Sequence, residues 1–216
     1  MRFFRPFFAA KWIYPEAIFR IKAEGKTVCL TFDDSPEPES TPLLLALLKR
    51  NNIKAMFFFS GNKAERHQEI VKQVIDEGHL VGNHGFYHID GWTSSCNKYI
   101  GNVEKAANFT SPQWFRPPYG RLGLRQYYRL KKKYRIVFWD IMPYDFDKNF
   151  SPADVLNVMK KKLRNGSIIA LHDFSGSSSL EILDSFIDFA KKQGYTFALP
   201  ALSCPKIGLH IYNIKK

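Results

Sequence analysis

Short apolar runs alternate with longer amphipathic segments along most of the chain, beginning at Thr27. Runs rich in Val, Ile, Phe and Leu are typical of buried strands, whereas apolar residues three or four apart are typical of helices. The predicted strands cover residues 27–32, 55–60, 80–83, 114–116, 135–139, 167–171 and 195–198. The predicted helices cover residues 41–51, 67–77, 98–107, 122–132, 152–163 and 180–192. Such alternation predicts an α/β fold whose roughly seven strands pair in parallel through crossover helices.

Reactive side chains follow the predicted strands at the point where each strand ends. They are Asp33 and Asp34 after the first strand, His84 and His88 after the third, Arg116 at the fourth, Asp140 at the fifth and His172 at the sixth. In barrels and open parallel sheets, ligands bind at the carboxyl ends of the strands. The sequence therefore predicts that these side chains meet at one rim of the sheet.

The residue types in this set point to hydrolysis. One Asp and two His can hold a divalent metal ion in three positions and leave a fourth position open, as a hydrolytic site requires. The remaining Asp and His would act as base and acid. Neighbouring residues of an extended segment point in opposite directions, so Asp33 and Asp34 can have separate roles. Taken alone, Asp-Asp-x-Pro more often forms a turn that caps a helix. The combination indicates a metal-dependent hydrolase.

Five motifs, in order along the chain, resemble those of the polysaccharide deacetylases, the NodB-like carbohydrate esterase family 4. They are TFDDSP at residues 31–36, NHGFYH at 83–88, FRPPYG at 115–120, WD at 139–140 and LHD at 171–173. A single match of this kind would be weak, but five in the family's order are specific. The resemblance covers nearly all of the chain after about Lys26.

The resemblance implies a single domain, folded as a distorted (β/α) barrel with fewer than eight strands and a divalent metal ion. The metal would be zinc, with cobalt, nickel or manganese as alternatives, and its ligands would be Asp34, His84 and His88. Asp33 would be the general base for metal-bound water, with Arg116 paired to it. The Tyr119 backbone N–H would stabilise the oxyanion, and His172 would protonate the departing amine.

Four positions depart from the family's motifs, and one of them is Phe146, which replaces a tryptophan. Ser35 replaces a glycine, and Gly85 replaces a hydroxyl residue that could orient the ligands through a hydrogen bond. Met142 stands where the family often has the aspartate that tunes the acid histidine. Asp140 and Asp145 are the two candidates to replace that aspartate, so the sequence leaves open which of them orients the acid.

These observations predict removal of acetyl groups from N-acetylated sugars of a polysaccharide or oligosaccharide, such as a chito-oligosaccharide or a peptidoglycan-like glycan. One alternative is a deacetylase of O-acetyl esters or small molecules, since the same chemistry serves esters. The other is a catalytically silent domain that binds glycans or an anionic surface, which the altered motifs and the net charge of +12 favour. No nucleic-acid motif accompanies the charge, so nucleic acid is not an expected partner. The protein is expected to be a monomer.

The chain ends give further expectations. Residues 1–25 read as an aromatic and basic extension that packs on a domain at residues 26–203, and residues 204–216 read as a tail. The first apolar stretch is interrupted by Arg5 and Lys11, which is unlike the core of a signal peptide. No apolar run approaches the roughly 20 residues of a membrane helix. The expected location is cytoplasmic or peripherally membrane-associated.

The cysteines form no disulfide framework or Cys-x-x-Cys motif, and Cys29 reads as a buried core residue.

Overall fold

The strands form a single parallel sheet. The computed structural model describes residues 2–22 and 25–200. Within these residues the strands are β1 (Thr27–Ser35), β2 (Met56–Phe59), β3 (Leu80–Asn83), β4 (Trp114–Phe115), β5 (Arg135–Ile136), β6 (Ser167–His172) and β7 (Thr196–Phe197). The spatial order is β5-β4-β3-β2-β1-β6, and β7 pairs with β1. Every pairing between these strands is parallel, which confirms the predicted α/β class and strand number.

A short α-helix precedes the sheet, and further α-helices connect its consecutive strands. Within the described residues they are α1 (Ala10–Ile13), α2 (Thr41–Arg50), α3 (Gly61–Arg66), α4 (Gln68–Asp76), α5 (Cys96–Ala106), α6 (Leu124–Leu130), α7 (Pro152–Lys162) and α8 (Ser179–Lys192). The Ser151 hydroxyl accepts a hydrogen bond from the Asp154 N–H and caps α7. Helix α3 was not predicted, because Ala64 is the one apolar side chain in its sequence, GNKAER. A single apolar residue gives no helical periodicity.

The central strand β1 is buried on both faces. Val28, Leu30 and Phe32 pack in the apolar layer between the sheet and the helices. Because side chains alternate along a strand, Cys29 and the residues that follow it at every second position face the concave side. Burial raises the pKa of the Cys29 thiol to about 12, which fits the expected core role. Nearly continuous burial is typical of a parallel strand covered on both sides.

The chain after β5 curls the sheet toward closure. The Val137 N–H still donates to the Phe115 carbonyl beside β4 at 2.8 Å. Four residues later, Ile141 forms a parallel bridge with Ile169 of β6. The N-terminal segment lies along the same stretch, where Ile18 bridges Val137 and the Phe19 ring stacks on Phe138. The C-terminal tail and Cys204 lie outside the described residues.

Candidate active site

Strand register brings the reactive residues together at one rim. Asp33 on β1 pairs directly with His172 on β6. On the other side, Asn83 at the end of β3 pairs with Phe115 at the end of β4. His84 and Arg116 are the next residues along those strands. The carboxyl ends of β1, β3, β4 and β6 therefore supply the site, as the placement of polar residues predicted.

Asp33 and Asp34 are separated by a bulge rather than by simple alternation. The register between β1 and β2 shifts between Asp33 and Ser35, which leaves Asp34 as the extra residue. Asp34 has a φ of 67°, so its backbone is left-handed and not extended. The expectation of separate roles for the two aspartates stands as a prediction, but its stated reason, an extended segment, is wrong.

Asp34, His84 and His88 form a compact cluster of three ligand atoms, each within 4.8 Å of the others. The two histidine Nε2 atoms are 3.2 Å apart, and the Asp34 Oδ1 atom is 3.5 Å from the Nε2 of His88 and 3.9 Å from that of His84. Ligands about 2 Å from a tetrahedral zinc ion lie roughly 3.3 Å from one another. The cluster therefore fits a divalent metal ion of that size.

The protonation of these ligands suits a cation. The Nδ1 atom of His84 lies 2.8 Å from the Arg116 carbonyl, which can only accept, so Nδ1 carries a proton and Nε2 is the nitrogen that faces the cluster. Burial and the neighbouring His84 lower the pKa of His88 to about 4, so its ring is neutral near pH 7. Burial opposes ionisation of Asp34, but the nearby histidines and Lys63 outweigh it and hold the pKa of that carboxyl below its usual value.

Asp33 is held by a fully buried arginine. The Arg116 Nη1 atom donates to the Asp33 Oδ1 atom at 2.7 Å and to the Thr31 hydroxyl at the same distance. Its Nη2 atom donates to the Phe138 carbonyl at 2.9 Å, and the guanidinium lies 4.1 Å above the Phe58 ring. With these donors used, the guanidinium is fixed in position, and so is the carboxylate that it binds.

His172 is oriented by Asp145. Its Nδ1–H donates to the Asp145 Oδ1 atom at 2.9 Å, and its backbone N–H donates to Oδ2 at 2.7 Å. The Ser177 hydroxyl also donates to Oδ2, so the buried carboxylate is well supported. Burial opposes protonation of the imidazole, but the Asp145 carboxylate outweighs it and raises the pKa of His172 to about 9.

Asp140, the other candidate to orient the acid, lies at the opposite end of the barrel. The Ser167 hydroxyl, at the amino end of β6, donates to its Oδ2 atom at 2.7 Å. Arg164 forms an ion pair with the same carboxylate. The expectation that Asp140 reaches the catalytic rim is therefore wrong, because the chain passes this end of the barrel before it turns upward to Asp145.

Tyr119 lies in a tight turn next to the ligand cluster. Its φ of 58° is left-handed, and the turn's hydrogen bonds run from the Gly120 and Arg121 N–H groups to the Pro117 and Pro118 carbonyls. The turn therefore does not use the Tyr119 N–H. The Tyr119 ring is exposed and contacts the His88 ring edge to face, with 4.3 Å between their centroids.

Two departures from the motifs have structural explanations. Gly85 has a φ of 80°, a left-handed conformation that favours glycine, and a Cβ atom there would lie 2.7 Å from the Asn102 Nδ2 atom, so the Asn102 side chain would have to move. Its N–H donates to the Asn83 side chain instead. Ser35 has no positive φ, and its hydroxyl donates to the buried Asp173 at 2.7 Å. Neither residue belongs to the ligand cluster.

Sequence reasoning missed two residues that support the site. Thr31 accepts from Arg116 and donates to the Ile169 carbonyl, and it lies two positions before Asp33 on the same face of β1. That spacing was the available signal. Ser177, which donates to Asp145, lies in the loop after β6 and has no comparable signal in the sequence.

Comparison with known proteins identifies the family. The family model described as polysaccharide deacetylase matches residues 20–139. A peptidoglycan-N-acetylglucosamine deacetylase of Bacillus cereus is 33% identical over 186 residues, covering 81% of this chain and 67% of that protein. A peptidoglycan-N-acetylmuramic acid deacetylase of Bacillus subtilis is 32% identical, covering 84% of this chain and 73% of that protein.

Solved structures agree. A crystal structure of a peptidoglycan N-acetylglucosamine deacetylase superposes with a TM-score of 0.81 at 30% identity, covering 88% of this chain and 93% of that chain. The curled parallel sheet is thus the fold of these deacetylases. The five motifs, their convergence at one rim and these similarities lead to one conclusion. The chain belongs to the polysaccharide deacetylase family, carbohydrate esterase family 4, and is a deacetylase enzyme.

Proposed function

We propose that this deacetylase hydrolyses the acetamido group of N-acetylated sugars in a peptidoglycan-like glycan. The observation that carries the proposal is the pairing of Asp33 and His172 on adjacent strands beside the ligand cluster. Arg116 holds the first of these side chains, and Asp145 holds the second. The relatives that support the substrate class carry names that specify N-acetylglucosamine or N-acetylmuramic acid of peptidoglycan. All of these residues come from one chain, so a monomer suffices.

The metal would be held by Asp34, His84 and His88. Zinc suits two imidazoles and one carboxylate, and cobalt, nickel or manganese can occupy similar sites. A bound divalent ion polarises a carbonyl and lowers the pKa of water toward about 7. The remaining side chains must then move two protons, one from the attacking water and one to the departing amine.

Asp33 is the proposed base. Arg116 binds its Oδ1 atom and holds the carboxylate in place, which leaves the second oxygen to accept a proton. A carboxylate fixed in this way loses no further orientational freedom at the moment of proton transfer. The neighbouring Asp34 faces the ligand cluster because of the bulge in β1, so the two carboxylates do not compete for one role.

His172 is the proposed acid. Its pKa of about 9 means that the imidazolium is the main form at neutral pH, so a proton is available for the leaving amine. The Nδ1–H is committed to Asp145, and therefore Nε2 carries the proton that is transferred. The Tyr119 N–H, which its own turn leaves unused, is the proposed donor to the oxyanion.

Exposed aromatic rings next to the site support a sugar substrate. The Tyr119 ring contacts His88, and the Phe146 ring contacts His172 with 4.6 Å between their centroids. One ring therefore lies beside the ligand cluster and one beside the acid. Both rings are partly exposed. An aromatic ring with one face exposed to solvent can bind the apolar face of a ligand such as a sugar ring.

Replacing Asp145 with Asn is expected to shift the alkaline limb of the kcat profile to lower pH. The acid is active while His172 is protonated, so activity falls as pH rises through its pKa. Asn can still accept from Nδ1–H but carries no charge, and losing a close opposite charge lowers a histidine pKa by roughly one to three units. The test is the pH dependence of kcat for both proteins. An unchanged alkaline limb would contradict the assignment of His172 as the acid.

Acetate release tests the function itself. We expect release from peptidoglycan fragments and chito-oligosaccharides when zinc or cobalt is present, and little release from matched O-acetyl esters beyond their background hydrolysis. Preference for the esters would favour the O-acetyl alternative. Tight glycan binding without acetate release, with metal bound, would favour a silent binding domain and overturn the proposal. Comparing N-acetylglucosamine and N-acetylmuramic acid fragments would then define the sugar.

A further inference from the structure

The N-terminal segment exposes an unusual concentration of large apolar side chains. Phe3, Phe7, Phe8, Trp12 and Ile13 are 66%, 58%, 91%, 85% and 36% exposed, respectively. All lie between residues 3 and 13, and we call their exposed side chains the aromatic face. Clustered exposed apolar groups of this kind mark interaction surfaces rather than ordinary protein surface.

The aromatic face belongs to a segment that other residues fix to the domain. The Phe4 carbonyl accepts from the Met142 N–H at 2.9 Å. Ala10 is buried in an apolar cluster, and the Tyr14 hydroxyl donates to the Leu122 carbonyl at 2.5 Å. The inward side chains therefore anchor the segment, and the outward aromatic rings project from a defined position.

The segment runs along the side of the barrel and reaches the end opposite the catalytic rim, where the Arg5 Nε atom lies 3.8 Å from the Asp140 Oδ1 atom. Met142 is three residues before Asp145, which orients the acid. Leu122 is three residues after Tyr119, which contacts the ligand cluster. The segment is therefore anchored to parts of the chain that lead to the site, but none of the residues of the aromatic face takes part in the site.

Two lysine runs flank the segment. The Arg5 guanidinium donates to the carbonyl of Lys162, the last of three lysines that end α7. Lys131 follows α6 and donates to Glu16 at 2.6 Å, and two more lysines come directly after it. Lys11 is exposed on the segment itself, next to Trp12, and the sequence carries a net charge of +12.

Projecting aromatic rings on a chain with a large positive net charge match an anionic lipid surface. Aromatic side chains settle at the level of lipid headgroups, and lysines nearby are attracted to anionic lipids. Side chains that protrude this far enter a fluid surface readily, whereas a protein partner would need a pocket for each ring. We propose that the aromatic face and the flanking lysines dock the protein on an anionic membrane surface.

Vesicle co-sedimentation of the full chain tests this docking. We expect binding to vesicles rich in phosphatidylglycerol, weaker binding to pure phosphatidylcholine vesicles, and a decrease in binding as salt rises. The double variant Phe8→Ser/Trp12→Ser should bind phosphatidylglycerol vesicles at least about tenfold more weakly, because it removes most of the insertable apolar area. Leu43→Ser is the control, since Leu43 is also a large apolar residue and is 58% exposed but lies on α2. It should bind as the original chain does.

Three outcomes would overturn the docking proposal. One is absence of binding to phosphatidylglycerol vesicles by the original chain, and another is equal binding by the double variant. The third is a dimer in sedimentation velocity that the double variant dissociates, since the aromatic face would then join two copies of the chain. Thermal unfolding shows whether each variant is folded. The vesicle assay needs no turnover, so its result does not depend on the proposed substrate.

Discussion

Asp33→Asn is expected to abolish nearly all turnover while the protein still binds its metal. Asn has the size of Asp and can accept the hydrogen bond from Arg116, but it cannot take a proton from the attacking water. A positioned general base is typically worth about 10²–10⁴-fold, so we expect kcat to fall by about 10³-fold. Asp33 is not among the three cluster residues, so metal content, measured by atomic absorption after dialysis, should stay the same as that of the original protein.

The variant will also be less stable, and this must be separated from the loss of catalysis. Arg116 is fully buried, and removing the partner of a buried charge costs about 3–5 kcal/mol. Asp140→Asn is a matched control, because Asp140 is an equally buried carboxylate paired with Arg164 at the other end of the barrel. It should lower the melting temperature and leave kcat nearly unchanged. Equal turnover by Asp33→Asn and the original protein would overturn the base assignment.

Much of the site could be predicted because strand ends are readable from sequence. Parallel pairing forces the carboxyl ends of β1, β3, β4 and β6 to one rim, and the residues at those ends are polar in an otherwise apolar pattern. Thr31 could have been added by the same reasoning, since alternation places it on the face of Asp33. This part of the site depends on local pattern and on topology alone.

The residue that orients His172 could not be chosen in this way. Asp140 and Asp145 are five residues apart in an irregular stretch, and no periodicity indicates which end of the barrel each one reaches. The answer depends on where Ile141 bridges β6, a contact between distant parts of the chain. The bulge at Asp34 was missed for a related reason, because it depends on how β1 pairs with β2.

Adding zinc to the metal-free protein is expected to raise its melting temperature, and His84→Ala is expected to remove that rise. A ligand that binds only the folded state stabilises it by about 2.7 kcal/mol at one hundred times its Kd. For a chain of 216 residues this corresponds to roughly 5–10 °C, at about 2–4 °C per kcal/mol. His84→Ala leaves two of the three ligands, so zinc affinity and acetate release should both be lost.

The quantity to compare is the rise in melting temperature that zinc causes, not the melting temperature of the metal-free protein. His84 is buried and bonded to the Arg116 carbonyl, so His84→Ala lowers stability even without metal. His67→Ala is the control, because His67 lies at the start of α4, outside the cluster, and should keep both the shift and the activity. Asp33→Asn should keep the shift and lose the activity. If His84→Ala retained the full zinc-induced rise, the ion would be bound elsewhere, and the assignment of Asp34, His84 and His88 as its ligands would fail.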